Sequence, residues 1–310
     1  ELGNEPDTDV RFNQFNVPFG CWGESGKPYY GGDYYAQMLK QVYPSIKSAD
    51  PNAKVLIGGL LLDCDPDHPV YDSTGHLKDC SSSRFLEGIL AGGGGNYFDA
   101  VSYHAYDYYY DLGDYRNPNW NATSYSTGPT SIMKDQFVRS LLINKGYPGK
   151  LLLNTETAVL CAMTSCSNDN LIRDNFETTK AYYIAVDYAS AIANGVTVRT
   201  WYSIDGWRYS RLIENNVPLP AYYAYKVASD ELGFAKYGNE LNQFNGVKGY
   251  QFTQGNRVIW FLWSIDGRDH TVQLPSAPIL ALDSLGSPSI PNQFVTVDVD
   301  PHYFEWIGNP

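Results

Sequence analysis

Between about residues 30 and 233, stretches with apolar residues at every third or fourth position alternate with short β-rich runs. Gly32 and Asp33 open the first such helix, in which Tyr35, Leu39, Val42 and Ile46 share a face and Asp50-Pro51-Asn52 supplies the stop. Residues 54–62 then read as a buried strand. The beat returns as a helix over 84–90 closed by the glycine run 92–95, a strand over 98–103, a helix over 131–144 closed by Gly146, and a strand over 151–154. A helix over 176–193 stopped by Asn194-Gly195, a strand over 196–201 and a helix over 220–232 complete the series. Such alternation needs a parallel sheet covered by helices, either doubly wound or closed into a barrel. In a barrel, the loops at the strand C-terminal ends build the active site.

After Gly233 the pattern changes to short strands, at 249–253, 258–263, 271–274, 279–282, 294–299 and 303–306, separated by Gly, Pro and Asp turns. Ile265-Asp266-Gly267 carries a hairpin signal. The expected organisation is an α/β unit over 1–233 followed by a small antiparallel β-sandwich domain over 234–310. No internal repeat is evident. The glycine run lacks the Lys-Ser/Thr of a phosphate loop, and Gly23-Glu24-Ser25-Gly26-Lys27 has the wrong spacing for one.

Composition narrows the function classes. The 310 residues are 43% hydrophobic and 18% charged, which supports a real core and excludes disorder as the main theme. Lys plus Arg number 22 against 34 Asp plus Glu, and the net charge of -12 argues against nucleic acid as a partner. The apolar runs fall short of the roughly 20 residues a membrane helix needs, so no membrane partner is expected. The 26 Tyr and 7 Trp, against 3 Met, tilt the chain toward flat surfaces on which sugar rings stack.

Cys64 with Cys80, and Cys161 with Cys166, are close pairs in loop-like segments, as expected of disulfides in a secreted or extracytoplasmic protein; Cys21 stands outside both pairs. Asn121-Ala122-Thr123 matches a glycosylation sequon by pattern. The chain begins with Glu1 and shows no signal peptide, so its true start is expected to have been removed or to lie upstream.

Two segments place a glutamate where an apolar strand gives way to a loop: Glu1-Leu2-Gly3-Asn4-Glu5-Pro6-Asp7 and Leu151-Leu152-Leu153-Asn154-Thr155-Glu156-Thr157. A single strand-end Glu is most often a salt-bridge or capping residue. Two of them facing one barrel mouth supply what double-displacement glycoside hydrolysis requires, a nucleophile and an acid that later serves as base.

Asn4-Glu5-Pro6 at a strand end resembles the acid/base signature of the clan A retaining glycoside hydrolases, a large group of (β/α)8 TIM-barrel proteins. In that group the acid/base follows strand four and the nucleophilic Glu follows strand seven. With Glu5 after strand four, the strands at 54, 98 and 151 become five, six and seven, and Glu156 falls where the nucleophile belongs. His104-Ala105-Tyr106 after strand six resembles the group's His-x-Tyr, and Trp201 ends strand eight where a sugar-stacking Trp is common. The helix beginning Pro220-Ala221-Tyr222-Tyr223 and the β domain after it further resemble the xylosidase, iduronidase and glucuronidase branches.

The resemblance implies roles. Glu156 attacks the anomeric carbon, and Glu5 protonates the leaving oxygen and later deprotonates water. Asn4 binds the sugar 2-hydroxyl, Tyr106 donates to Glu156, His104 orients its neighbours and Trp201 is a platform. No cofactor or catalytic metal is implied. Trp22, Tyr108, Tyr109, Tyr110, Trp120 and Trp207 fall on strand-end loops, to shape outer subsites or to pack. Asp63, Asp65 and Asp67, with Asp72 nearby, read as a solvated acidic loop, with calcium as the other reading.

With Glu5 so near the start, the first three βα units are absent from the sequence, and five strands do not close an eight-stranded barrel. A fragment of a longer product, a second chain supplying the missing half, or an unusual open barrel each account for this. The expected function is a retaining β-glycoside hydrolase acting on a polysaccharide or its oligosaccharides. The alternative is a non-catalytic carbohydrate-binding or assembly subunit derived from one.

Overall fold

The computed structural model describes residues 1–11 and 19–308. Seven strands build the first sheet: β1 (Leu2–Asn4), β2 (Leu56–Leu60), β3 (Ala100–Asp111), β4 (Asp114–Asn117), β5 (Ala122–Thr123), β6 (Leu151–Leu160) and β7 (Val198–Trp201). Five of them run parallel in the order β1-β2-β3-β6-β7, leaving β1 and β7 as open edges.

One face of this sheet is covered by α1 (Gly32–Ala49), α2 (Phe85–Ala91) and α3 (Thr130–Asn144), whose Tyr35, Leu39, Phe85, Ile89, Val138 and Leu142 pack on Ile57, Leu60, Val101 and Leu152. The three-to-four-residue spacing therefore forms the helices it predicts, and their apolar faces bury the core. Gly32 is obligatory where α1 meets α2, because a Cβ there would lie 2.0 Å from the Phe85 carbonyl oxygen. A short helix, α4 (Met163–Asn168), precedes α5 (Asn170–Ala193), which Asp169 caps by accepting from Leu171 and Ile172. Behind the sheet, Arg199 of β7 pairs with Asp135 of α3 at 2.9 Å and Asp187 of α5 at 3.1 Å, tying three elements together.

Two strands are longer than the sequence suggests. β3 runs on through His104 to Asp111 and turns at Gly113 into β4, so Tyr108, Tyr109 and Tyr110 are strand residues rather than loop residues. Aromatic side chains suit an extended, half-exposed backbone, and β3 stays paired with β6 as far as Tyr108 and with β4 to its end. β6 continues through Ala158 to Leu160, where the disulfide Cys161–Cys166 follows. The second expected disulfide, Cys64–Cys80, is also present, and Cys21 is exposed.

After the hairpin β8 (Ile213–Glu214) and β9 (Val217–Pro218), α6 (Pro220–Leu232) packs on α5. The rest of the chain forms β10 (Lys236–Glu240), β11 (Val247–Gln254), β12 (Arg257–Ser264), β13 (His270–Gln273), β14 (Leu280–Leu282), β15 (Phe294–Val297) and β16 (His302–Ile307). Five of these make an antiparallel sheet in the order β10-β11-β12-β16-β14. Alternation assigns its faces. Trp260, Leu262, Phe304 and Trp306 meet the β13–β15 pair, while Ile259, Phe261, Trp263 and Tyr303 meet Ala185, Ala189 and Leu232 of α5 and α6. The turn at Ile265-Asp266-Gly267 does not make the expected hairpin. β12 pairs with β11 and β16, and β13 pairs with β15, so this turn carries the chain from one layer to the other. No helix is long and apolar enough to cross a membrane among the described residues.

Candidate active site

Glu5 follows β1 with a φ of 45°, a conformation costly for a residue with a side chain. Four hydrogen bonds impose it. The Glu5 N–H donates to the Gly59 carbonyl at 2.9 Å, the Glu5 carbonyl accepts from Thr8 at 2.9 Å, and the Asp7 carboxylate accepts from the N–H groups of Leu61 and Leu62, each at 2.8 Å. The Asn-Glu-Pro-Asp turn is thus pinned to the end of β2. Burial pushes the Asp7 carboxyl up to about 6, opposed by those backbone donors.

Glu156 is aimed by a bulge in β6. Tyr103 pairs with Asn154 and His104 pairs with Glu156, so Thr155 is an extra residue and the strand is re-set between them. Asn154 and Thr157 are buried, whereas Thr155 and Glu156 keep partial exposure.

His104 joins the two carboxylates. Its Nδ1 lies 2.9 Å from Oε1 of Glu5 and 3.5 Å from Oε2 of Glu156, and the side chain is only 2% exposed against 13% and 24% for the glutamates. The imidazole fits because residue 59 is glycine: a Cβ there would stand 2.1 Å from His104 Nε2. Tyr106, next on the same face of β3, donates its hydroxyl to Oε2 of Glu156. Beneath them the buried Lys134 ammonium of α3 donates to the carbonyls of Leu61 and His104, each at 2.8 Å. Burial lowers its pKa to about 8, with Asp7 the leading opposing charge. Nothing in the sequence singles out Lys134.

One oxygen each of Glu5 and Glu156 and a ring nitrogen of His104 all lie within 4.8 Å of one another. Such atoms are of the kind that hold a divalent metal, yet here His104 engages Glu5 and Tyr106 engages Glu156. The arrangement is a self-satisfied hydrogen-bonded dyad of carboxylates, suited to nucleophilic and acid/base work.

The structure thus brings Glu5, His104, Tyr106 and Glu156 together. Asn4 is exposed at the end of β1, its backbone carbonyl accepting from Gly20 at 3.0 Å. Trp201 departs from expectation. It ends β7, but only 7% of it is exposed, its indole N–H donates to the Ser210 carbonyl at 2.8 Å, and its ring packs edge-on to Tyr183. It braces the loop after β7 instead of offering a platform. The open rings there are Tyr202 and Trp207, both packed edge-on against Tyr106. Trp120 is core, donating to the Leu62 carbonyl, and Trp22 and Tyr109 pack against Tyr35 and Phe176. Asp63, Asp65 and Asp67 do not converge on a shared cation position: they take Lys78, His68 and Arg84 respectively, and Asp72 closes its own turn through Thr74 and His76.

No family model matches the sequence, and no curated protein does. Solved structures do. A family 39 glycoside hydrolase from the gut symbiont Bacteroides cellulosilyticus superposes with a TM-score of 0.60 at 18% identity, over 96% of this chain and 60% of that one. A conserved exported protein from Bacteroides fragilis gives 0.61 at 10% identity, over 98% and 64%. A β-porphyranase of glycoside hydrolase family 86 from Bacteroides plebeius gives 0.59 at 12% identity, over 99% and 56%. The chain therefore spans about 60% of the length of these proteins. At such identities the likeness is one of fold, and the fold this chain shares is that of glycoside hydrolases.

Proposed function

We propose that this chain is a retaining β-glycoside hydrolase acting on a polysaccharide or its oligosaccharides, with Glu156 as nucleophile and Glu5 as acid and then base. The observation that carries the reading is the spacing of the carboxylates, an oxygen of each lying within 4.8 Å. Retaining enzymes hold the pair about 5–5.5 Å apart, whereas inverting ones leave about 6.5–9.5 Å for a water. The shared fold of glycoside hydrolases supports the same class.

The chemistry follows from the contacts. Tyr106 occupies Oε2 of Glu156, leaving Oε1 to attack the anomeric carbon as the bond to the leaving oxygen breaks and Glu5 transfers its proton to that oxygen. The ester neutralises Glu156. Glu5, now a carboxylate, takes a proton from water as the water displaces Glu156, and the sugar leaves with its configuration retained. His104 keeps the two carboxylates in register throughout.

The five parallel strands are read as strands four to eight of a (β/α)8 barrel, with residues 1–233 forming that unit and 234–310 the C-terminal β-sandwich domain. The open edges of β1 and β7 favour further strands, from the same polypeptide or a second chain, completing the ring. Two disulfides and the fold shared with an exported protein support an extracytoplasmic location.

The test is intact mass after incubation with a panel of activated 2-deoxy-2-fluoro β-glycosides, followed by peptide mapping. A stable adduct on Glu156 is expected. An adduct on another residue, or undiminished hydrolysis by Glu156→Ala, overturns the assignment, while turnover absent from folded protein favours the binding-subunit alternative.

A further inference from the structure

β3 does not end at the site. Its even-numbered side chains share one face: Ser102 donates its hydroxyl to Glu1, His104 meets both glutamates, and Tyr106 meets Glu156. Odd positions point the other way, Tyr103 to Asp135 of α3 and Asp107 to Thr130 and Tyr183. Alternation carries Tyr108 onto the face of His104 and Tyr106; Tyr110 is the extra residue of a bulge against β4, and the Arg116 guanidinium, cross-strand from Tyr108, stacks on its ring and holds it on that side. Tyr108 and Tyr110 are open, 44% and 65% exposed, although large aromatic side chains are costly to leave in water.

Their presentation is fixed. β4 pairs Arg116 with Tyr108, and the Arg116 guanidinium stacks 3.6 Å from the centre of the Tyr110 ring while Asp114 holds it at 2.6 Å. Asp114 is itself buried and accepts from Ser124. Tyr106 and Tyr108 are about 6.6–6.8 Å apart along the strand, and Tyr110, at the bulge, continues the row away from Glu156.

We propose that Tyr108 and Tyr110 extend the Glu5–Glu156 site into a stacking track for a linear, uncharged polysaccharide. The inference rests on the hydrolase reading for its catalytic end, and on the β3 face as far as Tyr108 and the Arg116 contact to Tyr110 for the rest. Rigid rings offered in a row from a catalytic centre suit the apolar faces of successive sugars. The charge of Arg116 is balanced by Asp114 and the chain carries a net charge of -12, which sets the track against polyanions.

The test compares the full-length wild type with Tyr108→Ala, Tyr110→Ala, the double alanine variant and the double Phe variant. Native gels containing xylan, agarose, β-glucan or polygalacturonate read binding. Hydrolysis of dinitrophenyl β-monoglycosides and of the retarding polymer reads the site. The expected result is retardation by a neutral polymer that the alanine variants lose and the Phe variant keeps. With it, polymer kcat/KM falls about fivefold per ring removed while monoglycoside turnover stays within about twofold. Equal retardation of wild type and double alanine variant, retardation by polygalacturonate alone or by nothing, or parallel loss on both substrates overturns the track. Failure of the hydrolase reading looks different: no turnover on any substrate, with ring-dependent retardation intact.

Discussion

Tyr106 and Glu156 meet across two neighbouring parallel strands, the phenol hydroxyl donating to Oε2 of a carboxylate that also lies 3.5 Å from His104. Burial first, and then the hydrogen bond to Glu156, push the Tyr106 pKa up, so the hydroxyl remains a donor over the working range. A hydrogen bond to a charged group contributes about 1.5–3 kcal/mol. Tyr106→Phe keeps the ring that packs on Tyr202 and Trp207 but frees Oε2. The expected outcome is a loss of roughly tenfold to a hundredfold in kcat/KM on an aryl glycoside, with the thermal midpoint nearly unchanged. Steady-state kinetics beside a melting curve check it, and a large fall in midpoint with a proportionate fall in active fraction would assign Tyr106 a packing role only.

Asp7 links the site to stability. Its carboxyl, about 6 in the folded chain against 3.8 ordinarily, holds a proton between those values that the unfolded chain lacks. Its contribution to stability therefore falls as pH rises from 3.8 to 6, by about 1.4 kcal/mol per pH unit and about 3 kcal/mol in all. Asp7→Asn removes that dependence and keeps one acceptor for the Leu61 and Leu62 N–H groups. Urea unfolding at pH 4 and pH 6.5 is expected to show the variant further below wild type at pH 4 than at pH 6.5. A gap that is the same at both values would mean that Asp7 does not titrate in this window.

Much of this architecture is legible in the sequence, for reasons that are local. Each long helix up to Leu232 has an apolar stripe and a stop signal, and parallel strands between helices leave few alternatives. Strand ends are another matter. Nothing local says that β3 runs on past Tyr103, because Tyr108 to Tyr110 suit a loop rim as well as a strand; only pairing with β6 as far as Tyr108 and with β4 decides. Nor does position alone give facing. In β7, Arg199 and Trp201 share the buried side while Val198 and Thr200 are exposed, so the strand-end Trp turns inward and Trp207 of the following loop is the open ring. That Glu5 and Glu156 come together is legible because their motifs are short and sit at strand ends. Lys134 and Gly59, which hold His104 from below and beside, act through backbone carbonyls and empty space, and neither leaves a pattern in a single sequence.

The two glutamates differ in what their removal leaves behind, and a small anion reads the difference. In Glu5→Ala, a substrate with a dinitrophenyl leaving group needs no acid, so Glu156 still forms the ester; hydrolysis then stalls because no base activates water. Azide needs no such base and is expected to displace Glu156, raising turnover about tenfold or more and giving the β-glycosyl azide. In Glu156→Ala there is no ester. Azide entering the space vacated by the carboxylate attacks the substrate directly, and the product is the α-glycosyl azide. Product stereochemistry by proton NMR therefore assigns each residue independently of how far its activity falls. A β-azide from Glu156→Ala together with an α-azide from Glu5→Ala would exchange the two roles, and the geometry at His104, 2.9 Å from Glu5 and 3.5 Å from Glu156, would then describe a nucleophile at the end of β1.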